Sequence, residues 1–124
     1  MSDGSVNEIW NKALLAYNAG NINNAIGMLN TIAQADARLS FNLACLYIQK
    51  NNYSAALSLL KNALKMDNSL SIAYFQRAYI RYHQGNFDSA YKNYAKTIVV
   101  SHYPVIFSSW EMHHKSILVL KDWI

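Results

Sequence analysis

Cysteine, proline and glycine are scarce in this 124-residue sequence, which contains one, one and four of them, respectively. The single cysteine, Cys45, cannot form an intrachain disulfide or a cysteine-rich zinc site, and this usage fits a reducing compartment, so we expect a cytoplasmic protein. So few turn-forming residues argue against an all-β fold, while a hydrophobic fraction of 52% is too high for a disordered chain. The composition therefore favours a single helical domain over residues 1–124.

Charged residues are also few, and they are dispersed. Eleven Lys and Arg against seven Asp and Glu give a formal net charge of +4, but the basic residues form no cluster. The sequence therefore predicts no nucleic-acid partner. No segment approaches the roughly 20 apolar residues of a membrane span, and the N-terminus lacks a basic segment followed by an apolar one. We therefore expect neither a membrane span nor secretion.

A short motif occurs three times along the chain. Residues 20–25, 51–56 and 85–90 each contain a turn residue, Asn, a large apolar residue, a polar candidate for a helix cap, a variable residue and Ala. The final alanines, Ala25, Ala56 and Ala90, are separated by 31 and then 34 residues. Each motif lies between two segments with apolar residues at i, i+3, i+4 and i+7, which is typical of paired amphipathic helices. The predicted helices span residues 6–18, 22–34, 38–49, 53–66, 71–83 and 87–100.

The repeat length and its small residues resemble the tetratricopeptide repeat family, whose unit is a helix-turn-helix of about 34 residues. In the second copy, the characteristic small, aromatic and large apolar positions are occupied by Ala44, Tyr47, Ala56, Leu60 and Ala63. Small residues are needed because antiparallel helices approach to ~8 to 10 Å only where little side chain intervenes. The resemblance implies an all-α tetratricopeptide-repeat α-solenoid with repeats at about 6–36, 37–70 and 71–104.

After Pro104 the repeat pattern ends, and a further helix is predicted over residues 108–123. Ser108 and Glu111 form a capping-box pattern at its start. Apolar residues then give the helix one apolar face, formed by Trp110, Ile117, Leu118, Leu120 and Ile124. We expect this C-terminal capping helix to cover the exposed side of the third repeat. Alternatively, it buries these residues between protomers, which would make the chain a self-associating structural repeat fragment.

Candidates for catalysis and metal binding are sparse. His113 and His114 are adjacent, so on a helix they point about 100° apart and cannot chelate one ion together. The seven acidic residues are scattered, and no phosphate-binding Gly-rich loop or nucleophile motif occurs. Cys45 lies beside Ala44 on an apolar helix, where a buried and inert thiol is expected. We therefore predict a non-enzymatic protein without a cofactor or a bound metal.

The first helices of the repeats are predicted to line a concave, aromatic groove. The residues that we expect to face it are Phe41, Asn42, Phe75, Gln76 and Tyr79. Tetratricopeptide proteins that bind acidic C-terminal tails use lysine, arginine and asparagine at such positions, and only Asn42 fits that pattern here. A generic adaptor would therefore use this groove for an apolar or helical peptide.

Two segments carry a closer resemblance. They are Phe41-Asn42-Leu43-Ala44-Cys45-Leu46-Tyr47 and Ala73-Tyr74-Phe75-Gln76-Arg77-Ala78. With the short junction before Arg38, they are similar to the N-terminal domain of the NADPH oxidase activator family, which includes neutrophil cytosol factor 2, the larger cytosolic factor of the phagocyte oxidase. The resemblance implies a regulatory adaptor. In that family the domain binds the GTP form of the small GTPase Rac and brings the activator to a membrane flavocytochrome that makes superoxide.

The resemblance also implies where a GTPase would bind. In the family, loops between repeats and an insertion after the third repeat contact Rac, and the groove does not. The corresponding residues of this chain are Asp36, Ala37, Asp67, Asn68, Ser69, His102, Tyr103 and Pro104. Among them, Asp67 matches a family contact. Because repeats stack by translation, we expect these loops to lie along one edge of the solenoid.

Overall fold

The computed structural model describes residues 3 to 101, and this part of the chain is entirely helical, which confirms the predicted all-α repeat fold. It contains six α-helices and one short 3-10 helix between the second and the third. Their bounds are α1 Asp3–Asn18, α2 Ile22–Asn30, the 3-10 helix Ala33–Ala35, α3 Ala37–Gln49, α4 Tyr53–Met66, α5 Ser71–His83 and α6 Phe87–Ser101. Within these residues, none of the helices is long and apolar enough to cross a membrane.

The turn within each helix pair has the same left-handed backbone. Gly20, Asn51 and Gly85 occupy equivalent positions of the three motifs, with φ angles of 84°, 59° and 78°. Glycine adopts this region without steric cost, and asparagine is the residue that most often replaces it. The turn residue of the sequence motif is therefore explained by backbone geometry.

The asparagine that follows each turn residue links two helices. The Asn52 amide donates to the Tyr47 carbonyl at 2.9 Å, which closes the end of α3. Its side-chain oxygen accepts from the Ala55 amide at 3.3 Å and caps α4, and Asn86 likewise accepts from the Ser89 amide at 3.3 Å. In the second and third pairs the cap is thus the asparagine itself, and not the polar residue two positions later that the sequence motif suggested, whereas Asn21 makes no side-chain capping bond to α2.

Each pair packs as an antiparallel hairpin, and successive pairs stack through two apolar cores. One core joins the first two pairs, and its members include Trp10, Ala13, Ala25, Leu29, Leu43 and Leu46. The other joins the second and third pairs, and its members include Phe41, Ala44, Ala56, Leu60, Ala73 and Tyr74. The second pair therefore lies in the middle, with α3 contributing to both cores.

The end of α2 differs from the prediction. We expected this helix to continue to residue 34, but it ends at Asn30. The hydroxyl of Thr31 donates to the Met28 carbonyl at 2.7 Å, and the chain then tightens into the 3-10 helix, while Ile32 and Ala33 remain buried. Apolar periodicity continues through this junction because the residues pack in the core, although the α-helix has ended. The predicted helix over residues 108–123 and the limit of the third repeat at 104 lie outside the described residues.

Candidate functional site

Two loops between successive helix pairs lie on the same side of the structure. The first precedes α3 and contains Gln34 and Asp36, and the second precedes α5 and contains Asp67 and Ser69. Arg38 connects them electrostatically, because its Nε lies 3.8 Å from Asp36 Oδ1 and its charge also lowers the pKa of Asp67. We call residues 34–38 and 67–69 the inter-repeat edge.

Asp67 is exposed and held in one orientation by Ser69. Its Oδ1 accepts the Ser69 hydroxyl at 2.6 Å and the Ser69 amide at 3.0 Å. These two bonds, the hydroxyl bond first, lower the pKa of the carboxyl below its ordinary value, and the charge of Arg38 lowers it further. The phenol of Tyr74 donates to the Asn68 carbonyl at 3.2 Å and ties the same loop to α5. The second loop therefore presents an ionised carboxylate in a fixed position.

Asp36 begins α3. Its Oδ1 accepts from the Arg38 amide at 2.7 Å, so the side chain caps the helix, where a negative charge also complements the helix dipole. The carboxylate and the Arg38 guanidinium are both about half exposed, at 43% and 54%. Ala37, which the sequence placed among the contact residues, is buried, and its methyl group packs in the core. The first loop thus offers one carboxylate and one guanidinium to solvent.

A buried polar network holds the first loop from behind. The Ser40 hydroxyl is completely buried and donates to the Ala33 carbonyl at 2.6 Å. Asn62 on α4 donates to that hydroxyl at 3.1 Å and to Gln34 Oε1 at 2.9 Å. Sequence reasoning missed Ser40 and Asn62. Each of these two polar residues lies on the apolar face of its helix, and that could have drawn attention to them. Their hydrogen-bond partners, however, are distant in the sequence.

The five predicted groove residues are largely closed to solvent. Phe41, Asn42 and Gln76 have no exposed surface, Phe75 is 3% exposed, and only Tyr79 is partly accessible. The side-chain amide atoms of Asn42 and Gln76 have no hydrogen-bond partner within the described residues. In this conformation, therefore, the first four side chains pack between helices and present almost no surface to a peptide.

The described residues contain no evident catalytic or metal-binding site. Over residues 3 to 101, no three His, Cys, Asp or Glu side chains lie close enough together to hold a metal ion. Cys45 is completely buried, and burial raises the pKa of its thiol, which keeps it protonated and unreactive. His102, Tyr103 and Pro104, which were predicted to extend the inter-repeat edge, lie outside the described residues.

Comparison with known proteins finds similar sequences among oxidase activators and cytosol factors. Over 111 residues, or 88% of the chain, it is 26% identical to an NADPH oxidase activator of Dictyostelium discoideum. Over 91 residues it is 25% identical to human neutrophil cytosol factor 2, and over 93 residues 26% identical to the mouse protein of that name. The chain resembles the NADPH oxidase activators. This confirms the resemblance that the two segments in α3 and α5 indicated.

The match to the NADPH oxidase activators covers most of this chain but a small part of theirs. The aligned region is 18% of the Dictyostelium protein and 17% of the human one, so the chain spans less than a fifth of their length. No family model matches the sequence. The similarity thus concerns one helical repeat region, which includes the whole inter-repeat edge.

Proposed function

We propose that this chain is a non-catalytic protein-interaction module that binds the GTP form of a Rac-type small GTPase through its inter-repeat edge. By this binding it would help to regulate a superoxide-producing NADPH oxidase in the cytoplasm, without a cofactor of its own. The names of the relatives, an oxidase activator and a cytosol factor, support the regulatory class. The family resemblance supplies the partner.

The observation that carries the proposal is the construction of the edge. Two loops with exposed carboxylates are each tied down, one by Ser40 and Asn62 and the other by Ser69 and Tyr74. Loops that are already ordered lose little conformational entropy on binding, so a small polar surface can still bind specifically. Some transient signalling complexes bury less than about 1,200 Å² in total, so a surface formed by two short loops can be sufficient.

Asp67 is the side chain best placed to contact a partner. It is exposed, and both bonds from Ser69 end on Oδ1, so its Oδ2 can accept a donor from another protein. The two bonds from Ser69 and, to a smaller extent, the positive charge of Arg38 lower the pKa of the carboxyl and keep it ionised. A bond from a charged or polar group to an ionised carboxylate contributes roughly 1.5 to 3 kcal/mol, which is about a 10- to 100-fold change in affinity.

A binding titration tests this proposal. The chain is titrated against a Rac-type GTPase loaded with a GTP analogue and, separately, with GDP. We expect binding to the GTP form and about 10-fold or greater weakening by Asp67→Ala. The matched control is Glu8→Ala, which removes an exposed carboxylate on α1 that pairs with Lys12 at 3.4 Å. Equal affinity for the two nucleotide forms, or no loss with Asp67→Ala, would contradict the proposal.

A peptide-binding groove is the less supported alternative. Its predicted residues are mostly buried, whereas the inter-repeat edge is exposed and ordered. If Phe75→Ala or Tyr79→Ala abolished binding of the GTPase while Asp67→Ala did not, the partner would bind to the first helices instead. The two substitution sets therefore separate the binding classes.

A further inference from the structure

A group of three positive charges lies where α5 packs against α6. Arg77 and Arg81 are one helical turn apart on α5, and Lys96 is on α6. The Arg77 guanidinium carbon lies 5.5 Å from the centre of the Tyr74 ring, and the Lys96 ammonium lies 5.9 Å from the same centre. We call Arg77, Arg81 and Lys96 the basic cluster. Folding brings together charges that the sequence disperses.

Arg77 is partly buried and is held in one orientation. Its Nε donates to Asn93 Oδ1 at 2.6 Å, and the Asn93 side-chain nitrogen donates to the Ser89 carbonyl at 2.9 Å. This arrangement uses one of the five N–H donors of the guanidinium. Within the described residues, neither Nη atom of Arg77 has a hydrogen-bond partner, and both keep contact with solvent. The guanidinium is therefore fixed and can still donate to a ligand.

No carboxylate forms an ion pair with the basic cluster within residues 3 to 101. The ion pairs in this range join Lys12 with Glu8 and Arg38 with Asp36. Burial lowers the pKa of Arg77, and the charge of Arg81 lowers it further, while Tyr74 acts in the opposite direction. The two guanidinium groups therefore repel each other, and a bound anion would relieve that repulsion.

The preceding repeat has an apolar pair at the positions of Arg77 and Asn93. Subtracting 34 residues takes these two positions to Leu43 and Leu59, which belong to the core between the first and second pairs or pack against it. Two leucines are thus sufficient for stacking at this place. A partly buried charge costs free energy that a leucine does not, unless the charge finds a partner. The polar pair therefore points to a ligand and not to a requirement of packing.

The basic cluster is separate from an aromatic pocket in the same helix pair. That pocket has a volume of about 300 Å³, and its large lining residues are all aromatic. They are Phe75, Tyr79 and Tyr82 on α5 and Phe87, Tyr91 and Tyr94 on α6. None of the three cluster residues lines it. A ligand of the basic cluster should therefore leave the pocket unchanged.

We propose that the basic cluster binds a phosphate monoester, with the Nη atoms of Arg77 donating to its oxygens and with Arg81 and Lys96 supplying further positive charge. The planar fork of a guanidinium matches the spacing of phosphate oxygens. A phosphate monoester carries a charge of about −1.5 to −2 at pH 7, so it neutralises more of the cluster than a carboxylate does. The monoester can be a soluble compound or a lipid headgroup, since both present the same oxygens. The inference does not depend on the proposed GTPase partner.

An NMR titration of the full, isotope-labelled chain with inorganic phosphate tests the site, with sodium chloride keeping the ionic strength constant. We expect saturating shifts of the side-chain Nε–H signals of Arg77 and Arg81. The amide signals of Phe87 and Tyr91 in the aromatic pocket should not change. Saturation separates a bound anion from general screening of charge.

Two variants copy residues of the preceding repeat, so we expect both to fold. Arg77→Leu combined with Asn93→Leu should weaken phosphate binding about 10-fold or more, read from the Arg81 signal. Lys96→Asn, which copies Asn62, should weaken it less because Lys96 is exposed. Lys12→Ala is the matched control, because it removes one exposed positive charge on α1 and should leave the affinity unchanged. Circular dichroism verifies that each variant is folded.

Shifts that do not saturate, or equal phosphate affinity in the double variant and the parent chain, would overturn the inference. Sedimentation with vesicles of phosphatidylcholine, with and without phosphatidic acid, identifies the source of the monoester. Binding that requires phosphatidic acid and that the double variant loses supports a lipid headgroup. Saturable phosphate binding without binding to either kind of vesicle supports a soluble monoester.

Discussion

Asp67 is the side chain on which the inter-repeat edge most depends. Its pKa is lowered first by the Ser69 hydroxyl, then by the Ser69 amide, and further by the charge of Arg38. Asn68 and Ser69 belong to the same turn, while the Asp36 carboxylate lies against Arg38. The exposed charges of the edge thus form one small electrostatic unit.

The titration of Asp67 gives a direct test of this arrangement. Ser69→Ala removes the hydroxyl bond but keeps the amide bond, so the pKa of Asp67 should rise part of the way to its ordinary value of 3.8. Because folding lowers this pKa, the ionised group stabilises the folded chain above that value, and the contribution is lost as the pH falls through the folded-state pKa. Carboxyl NMR titration of both proteins measures the change. An unchanged pKa in Ser69→Ala would show that the hydroxyl bond is absent in solution.

Ser40 is the residue that fixes the first loop. Ser40→Ala leaves the Ala33 carbonyl and one donor of Asn62 without their buried partner, so we expect a loss of about 1 to 3 kcal/mol in the free energy of unfolding. Urea denaturation measures it, with Ser58→Ala, at an exposed position of α4, as the control. Equal stability of the two variants would mean that the network of Ser40 and Asn62 contributes nothing to the free energy of unfolding.

At the scale of the elements, the turn between α3 and α4 shows most clearly how a backbone conformation restricts which residue can occupy a position. Asn51 has a φ of 59°, so Asn51→Gly should keep or raise stability, whereas Asn51→Ala should cost about 1 kcal/mol. Thermal or urea unfolding of the two variants measures the difference. The opposite order of stability would show that the Asn51 side chain, and not its backbone conformation, is what the turn requires.

The crossing of α3 with its neighbours depends on a small side chain. Ala44 has no exposed surface and lies in the core between the second and third pairs. Ala44→Leu should therefore overpack this core and cost about 1 to 3 kcal/mol in the free energy of unfolding. Ala55→Leu, at a partly exposed position of α4, is the control and should change stability less. If Ala44→Leu were tolerated as well as the control, the helices would not be in close contact there.

Local features of the elements could be predicted from the sequence, while contacts across the structure could not. Five of the six helices end within one residue of the prediction, because a turn residue such as Gly20 or Asn51 fixes the boundary locally. The end of α2 was misplaced because Ile32 and Ala33 continue the apolar pattern after the helix has ended. The link between Ser40 and Asn62 spans 22 residues, and local periodicity carries no information about it.

At the scale of the whole molecule, the stacking of repeats affects two surfaces, the inter-repeat edge and the aromatic pocket between α5 and α6. Stacking places Arg38 of the first loop near enough to Asp67 of the second for its charge to lower the pKa of that carboxyl. That all the predicted contact segments, including residues 102–104, lie along one edge stays a prediction. Stacking also buries Phe41 and Gln76, which the sequence assigned to an open groove, and Phe41 packs in the core between the second and third pairs. The aromatic pocket between α5 and α6 is where this stacking has no successor within the described residues.

Hydrogen–deuterium exchange of the chain, alone and with a Rac-type GTPase loaded with a GTP analogue, tests the central claim most directly. The amides of residues 34–38 and 67–69 should exchange more slowly in the complex, because a partner on the inter-repeat edge covers both loops. Those of Tyr82, Phe87 and Tyr91 should not change, because the pocket lies on another face. Protection confined to the pocket or to the first helices, with the inter-repeat edge unaffected, would contradict the account.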